Sequence, residues 1–341
     1  MTTETVTPVL PLGLPDRLAE KITAALELDE HVDKLIADAV AAGVSDVYLL
    51  GCGGSQMAYG TLEYLLSTRL DRPVHRRNAS EFTHALPARL GPESLVIAAS
   101  ARGGTKETAA AATAAREAGA TVVGLTEDPE SLFGKACEHL LLHRGSEAKA
   151  VLLGLLGWSL LKHTGAIADY EGARRAFAAL PEALPAVYAE ADPISAAIAE
   201  RFHQDPVVYV LGSGPLVDAA QTLTMCYLQE MQWKHAAAFN ANEFLHGAFE
   251  VVDDSTPVVL FLGEDTSRPV AERTAAFLSR YAKRTLTVDS RDFSLPGVPE
   301  EMRPLFAEYA FEGVTTSIAH HFAARTGHPL ATRRYMWTVE Y

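Results

Sequence analysis

One unit occurs twice in this chain and limits its fold more than anything else: a short apolar run, a Gly-rich turn, then a helical stretch. Asp46-Val-Tyr-Leu-Leu50 runs into Gly51-Cys-Gly-Gly-Ser55, with a helix expected from about Gln56 to Thr68. Much later, Pro206-Val-Val-Tyr-Val-Leu211 runs into Gly212-Ser-Gly-Pro215, with a helix expected from Leu216 to Met231. Short runs that are apolar on both faces and stop at glycine read as buried strands. The alternation continues around each unit. Ser94-Leu-Val-Ile-Ala-Ala-Ser100 leads to the turn Arg102-Gly-Gly-Thr105 and an alanine-rich helix from Lys106 to Ala118. Ala120–Thr126 reads as a third strand and Leu140–His143 as a fourth. In the second half, Pro257–Leu262 and Arg284–Asp289 are strands flanking a helix near 268–282. Strands alternating with helices imply parallel sheets covered on both faces.

The fold expected is therefore α/β: two doubly wound, flavodoxin-like parallel-sheet domains in tandem with helical connectors. The expected divisions are N-terminal helices over 1–43, a first domain over 44–190, and a second over 191–341 that includes a C-terminal tail. Residues 16–43 alternate apolar and charged positions at helical spacing, and a helix-rich connector is expected over roughly Val151–Phe202. A helix is expected over Pro304–Thr326. Beyond it, the aromatic residues of Arg333-Arg-Tyr-Met-Trp-Thr-Val-Glu-Tyr341 predict a tail packed on something.

Composition bounds the function. A chain of 341 residues, 48% hydrophobic and 21% charged, can bury the cores of two domains. Its formal charge of −14 argues against nucleic acid, which demands a basic face. No apolar run approaches the roughly 18–20 residues a membrane span needs, and no secretion signal is evident. The three cysteines, Cys52, Cys137 and Cys226, suggest neither a disulfide framework nor a zinc site. A cytoplasmic protein acting on a small molecule, without metal or cofactor, is the expectation. Gln56 stands where a dinucleotide fingerprint has its third glycine, and no P-loop occurs.

In open parallel sheets, ligands sit beyond the carboxyl ends of the strands, where helix N-termini present unpaired N–H groups. Gly51, Gly53 and Gly54 permit close backbone approach, and Ser55 adds a hydroxyl. Ser100 and Thr105 flank the second turn in the same way. Together the two turns can form one anion cradle, although such residues also make ordinary turns and N-caps. Glu230 and His246, sixteen positions apart, add a carboxylate and an imidazole. Such a pair can move a proton between adjacent sugar carbons near neutral pH. The alternatives are an exposed helix-end carboxylate and a loop histidine bonded to a carbonyl. Glu243 reads as a partner orienting the imidazole or as a second acid–base group. Arg333 and Arg334 suit a substrate carboxylate or acidic neighbours.

These segments resemble the sugar isomerase (SIS) domain family, a doubly wound module that binds phosphosugars and usually occurs in pairs. The likeness lies in Gly51–Ser55, in Ser100-Ala-Arg-Gly-Gly-Thr-Lys-Glu107, in Asn78-Ala-Ser-Glu-Phe82, in Gly145-Ser-Glu147 and in Leu211–Pro215. Asn242-Glu-Phe-Leu-His-Gly-Ala-Phe-Glu-Val-Val-Asp253 and His328-Pro-Leu-Ala-Thr-Arg-Arg-Tyr-Met336 are most similar to the fructosamine-6-phosphate deglycases within the family. The resemblance implies Glu230 as base and His246 as acid, the latter reaching the site from a neighbouring subunit of a homodimer or larger assembly. It implies a phosphate held by Ser55, Ser100 and Thr105, in a substrate site with Gly53, Arg102, Glu147, Glu243 and Arg334. Arg102 departs from the pattern by standing where the family has a second serine. No lysine stands near the C-terminus, where the family's synthases place one. The activity implied is cleavage of a fructosamine 6-phosphate to an aldose 6-phosphate and a free amine, without a cofactor. The alternatives are an aldose–ketose phosphosugar isomerase and a non-catalytic phosphosugar-binding protein.

Overall fold

The computed structural model describes residues 10–167 and 169–340. Two parallel sheets organise the chain. The first contains β1 (Asp46–Gly51), β2 (Val74–Asn78), β3 (Ser94–Ala99), β4 (Thr121–Thr126) and β5 (His139–Leu142), in the order β2-β1-β3-β4-β5. The second contains β6 (Val208–Gly212), β7 (Ala236–Asn240), β8 (Val258–Leu262) and β9 (Thr285–Asp289), in the order β7-β6-β8-β9. Every pairing in both sheets is parallel. The doubly wound α/β reading of the sequence thus holds for both halves. In each sheet the first two crossovers leave in opposite directions, which opens a crevice at the carboxyl ends of the two central strands, β1/β3 and β6/β8.

Two strands, β2 and β7, went unread in the sequence. β2 is Val-His-Arg-Arg-Asn and β7 is Ala-Ala-Ala-Phe-Asn, and both are edge strands whose residues are mostly half-buried. An edge strand pairs on one side only, so the unbroken apolar run that marks β1, β3 and β8 is not required of it. Arg76 of β2 uses its position to bind Glu63 (2.9 Å) and, across the two halves, Asp218 (2.6 Å).

Helix boundaries differ from the expectation in two places that bear on the site. The stretch after the first turn is two short helices, Gly54–Met57 and Gly60–Ser67. The stretch after β6, Leu216–Met231, is α-helical only to Gln221 and π-helical over Thr222–Met231. The wider π turn changes the direction in which Glu230 projects, and such turns occur frequently at functional sites.

The N-terminal segment forms the two helices Leu18–Leu26 and Asp29–Ala42, which pack on helix Ser146–His163 and on the long helix Tyr170–Phe202. Helix Ser146–His163 is apolar on all sides and enclosed, which its sequence from Val151 to Leu161 requires. Gly157 lets it approach Gly60–Ser67, since a Cβ there would lie 2.5 Å from Leu62. The 33-residue helix Tyr170–Phe202 contributes Ala173, Phe177 and Tyr188 to the first core and Val187, Ile198 and Phe202 to the second. The division expected at 190/191 falls within it. Among the described residues, no helix is long and apolar enough to cross a membrane.

Candidate active site

The site is built where β1 and β3 end. After β1, Gly53 takes φ 54°, a left-handed conformation that glycine adopts without strain, and a Cβ added to it would meet nothing within 4 Å. Ser55 follows half-buried in helix Gly54–Met57, its amide bonded to Cys52 O at 3.2 Å. After β3, Ser100 is buried and donates from Oγ to Thr105 Oγ1 at 3.3 Å. Thr105 is the N-cap of helix Lys106–Glu117, yet its side chain caps no backbone amide. Gly104 likewise faces open space. The two turns therefore bring hydroxyls and a helix N-terminus to the carboxyl ends of neighbouring strands, with open space above Gly53 and Gly104, an arrangement that suits an anion.

The second half delivers a carboxylate to this place. Glu230 lies near the end of the π-helical segment, with about a fifth of its side chain exposed. Arg333 from the C-terminal tail holds it, Nη2 to Oε1 at 2.8 Å. Burial pushes the Glu230 carboxyl above the usual carboxylate range, while Arg333 and then Arg102 oppose that rise. Arg102 belongs to the turn after β3, so its charge acts on both the anion cradle and the carboxylate. Its guanidinium carbon stands 4.3 Å from the centre of the Trp337 ring, and that of Arg333 stands 5.2 Å from the same ring. Trp337 thus links the turn and the tail through its ring while 60% exposed, so the tail meets the turn at the surface rather than being packed away as its aromatic residues predicted. Arg334 lies 4.2 Å over Trp233, whose ring also packs on His328 at 4.5 Å.

Cys226, one π turn before Glu230, ties the segment to the first turn. A Cβ on Gly54 would lie 3.3 Å from its Sγ. Burial pushes the thiol up to about 11, with the Glu230 charge adding to the effect. Glu147 is buried at the start of helix Ser146–His163 and accepts hydrogen bonds from Tyr188 Oη at 2.6 Å and Ser146 Oγ at 3.2 Å.

The residues singled out in the sequence thus separate into two groups. Gly53, Ser55, Ser100, Arg102, Thr105 and Glu230 converge at the β1/β3 crevice, with Arg334 nearby on Trp233. Glu243 and His246 lie elsewhere, in and just after the short helix Ala241–Phe244 that follows the edge strand β7. Both are exposed, and among the described residues no hydrogen bond or ion pair joins either to Glu230. Asn240 caps that short helix by accepting from the amides of Asn242 and Glu243, which fixes the loop that presents His246. The sequence put Arg334 in the substrate site and left Arg333 out of it, whereas Arg333 binds Glu230 and Arg334 lies over Trp233; it did not single out Trp337. Only the aromatic content of the tail pointed at it.

Two doubly wound halves, hydroxyl-bearing turns at the ends of β1 and β3, and a carboxylate supplied from across the molecule are an arrangement of the SIS type. Residues 43–161 match the SIS domain. The fructosamine deglycase FrlB of Bacillus subtilis is 30% identical over 328 residues, covering 93% of this chain and 99% of its own. The fructoselysine 6-phosphate deglycase of Escherichia coli is 23% identical over 307 residues, 89% of each chain. A Bacillus subtilis crystal structure described provisionally as a phosphosugar isomerase superposes with a TM-score of 0.87 at 29% identity, covering 94% of this chain and 99% of that one. The chain belongs to the SIS-domain family and is an enzyme of it.

Proposed function

We propose that the chain cleaves a fructosamine 6-phosphate, releasing an amine and an aldose 6-phosphate. The observation that carries this reading is the meeting of Glu230 with the hydroxyl-bearing turns of the other half, at a place where burial raises its affinity for a proton. The deglycase names of the relatives that span nearly the whole chain support it. In this reading Ser55, Ser100, Thr105 and the amides of both turns hold the phosphate. Arg102 adds charge from its in-plane N–H groups while its face rests on Trp337. The phosphate fixes the open-chain sugar so that C1 lies beside Glu230.

Glu230 takes a proton from C1 while an acid protonates the C2 oxygen, giving an enaminol. Return of a proton to C2 and loss of the N–H proton produce a C1 imine. Addition of water to C1 releases the amine. The acid we assign is His246 of a second copy of the chain, because this residue is exposed on a capped loop and away from its own Glu230. A homodimer or larger assembly with shared sites follows from that assignment. In solution, the protein should release free amine and glucose 6-phosphate from a panel of 6-phosphorylated fructosamines, followed by mass spectrometry. Turnover of fructose 6-phosphate without any amine release from the panel would replace this reading with that of an isomerase.

A further inference from the structure

Lys149 is a buried lysine that the mechanism above does not use. It lies in the first turn of helix Ser146–His163 and is only 7% exposed. Among the described residues its ammonium forms no hydrogen bond and has no carboxylate within ion-pair distance. The charges that act on it, from Glu312, Glu127 and Glu147, are felt across space rather than by direct bonds. Glu147 is already occupied by Tyr188 and Ser146, and Glu312 is pushed above the usual carboxylate range by burial. Burial pulls the Lys149 ammonium below the usual lysine range, so that a neutral amine is more accessible there than on a surface lysine.

Its position points to the sugar. Glu127 and His143 follow the carboxyl ends of β4 and β5, so Lys149 stands on the ligand-binding edge of the first sheet. It also acts on the same thiol as the base, because Cys226 is influenced by Glu230 and by Lys149. That thiol touches the first glycine turn at Gly54. Lys149 and Glu230 therefore act on the Cys226 thiol from opposite halves of the molecule, beside the first glycine turn. A purely structural lysine at such a depth is ordinarily ion-paired directly, because an unpaired buried charge is costly. A lysine kept desolvated beside a site is the form in which lysines act as nucleophiles towards carbonyl and imine carbons.

We infer that Lys149 is a nucleophile that takes over the sugar from its amine. This step rests on the deglycase reading for its substrate. Nζ attacks C1 of the imine formed after the Glu230 proton transfer, and the C1=N π electrons move to the substrate nitrogen. One proton passes from Nζ to that nitrogen on addition and a second as the C1–N bond of the substrate breaks, so that the amine leaves neutral with the bonding pair. The Nζ lone pair closes a C1=Nζ double bond. Water then adds to C1, and breaking the C1–Nζ bond yields the aldose 6-phosphate and the free lysine. Atoms and electrons balance without an oxidant or reductant.

Sodium cyanoborohydride, which reduces the C1=Nζ bond to a stable amine, tests this. With a fructosamine 6-phosphate present, the wild-type peptide containing Lys149 should gain one reduced hexose phosphate in step with loss of amine release. Lys149→Arg, which keeps the charge but forms no imine, should keep its melting midpoint, lose amine release and take no label. Continued turnover by Lys149→Arg, or wild-type turnover under reductant without label on Lys149, overturns the assignment. If Lys149→Arg fails to fold, wild-type labelling decides alone. Glucose 6-phosphate with the same reductant separates this proposal from the deglycase reading. Label on Lys149 in preference to the exposed Lys34, with no amine released from any fructosamine 6-phosphate, sustains the lysine and sinks the deglycase. No label with either sugar overturns the lysine.

Discussion

The two halves share a topology and differ at the turn where each could hold a ligand. In the first half, the turns after β1 and β3 are empty above Gly53 and Gly104, lined by Ser55, Ser100 and Thr105, and overlooked by Arg102. In the second half, the turn after β6 is filled from within. A Cβ on Gly214 would lie 2.5 Å from Ser267 Oγ and 2.8 Å from Asp265 Oδ1, and Ser267 Oγ donates to Ser213 Oγ at 3.0 Å. Carboxylates surround that turn: Asp265 is buried, Glu264 is bound by Arg303 at 2.7 Å, and buried Glu308 is pushed up to about 8 by desolvation with Asp265 and Glu264 adding to the rise. An open, hydroxyl-lined turn suits an anion, whereas a filled turn ringed by carboxylates disfavours one. In the proposed mechanism the first half binds the phosphate and the second supplies the base.

The comparison breaks most visibly at Glu230. Glu230→Gln should lower kcat on the order of 10²–10⁴-fold while substrate still binds, as loss of an acid–base group does, measured by amine release under saturating substrate. The next largest effect concerns the acidic second turn. Glu308 titrates near 8 when folded and near 4.5 otherwise, so the stability from keeping it neutral is complete below about pH 4.5 and lost as pH rises through 8. Between pH 5 and 9, denaturant unfolding should show the wild type losing on the order of a few kcal/mol relative to Glu308→Gln.

A paired substitution then compares the two turns directly. Ser100→Ala removes a hydrogen bond to a charged group, worth about 1.5–3 kcal/mol, and should raise KM roughly 10- to 100-fold. Ser213→Ala, its counterpart in the filled turn, should leave KM unchanged; equal effects in initial-rate assays would mean that both turns bind substrate. The smallest effect concerns Arg333. Arg333 is the main influence holding the Glu230 carboxyl down against burial, so Arg333→Met should move the acidic limb of the kcat/KM–pH profile to higher pH. A limb that stays in place would mean that another group sets the protonation of the base.

Much of this arrangement was legible in the sequence, for identifiable reasons. β1, β3, β6 and β8 are central strands buried on both faces, so their identity is written in continuous apolar runs, and the turns that follow them carry the site. β2 was invisible because an edge strand such as Val74–Asn78 can be mostly polar, and β7 because three of its five residues are alanine, which is depleted in strands. Glu230 was found by its resemblance to a family motif, whereas its orientation was not, since no residue pattern in Thr222–Met231 distinguishes a π turn from an α turn. Arg333, Trp337 and Lys149 belong to segments remote in the chain from Arg102 and Glu230. Their meeting depends on how two sheets and a tail come together, and single-segment patterns carry no such information.

The helix Tyr170–Phe202 has a consequence for how the molecule yields under stress. Tandem domains are ordinarily joined by slack, so that one can melt or be pulled apart while the other survives. Here a single continuous helix is embedded in both, and Ala183 and Val187, which precede residue 190, belong to the second core. Severing the chain there would leave a hole in one half and an orphaned greasy stump on the other. Stretched from its ends, the molecule should give way in one rupture rather than two.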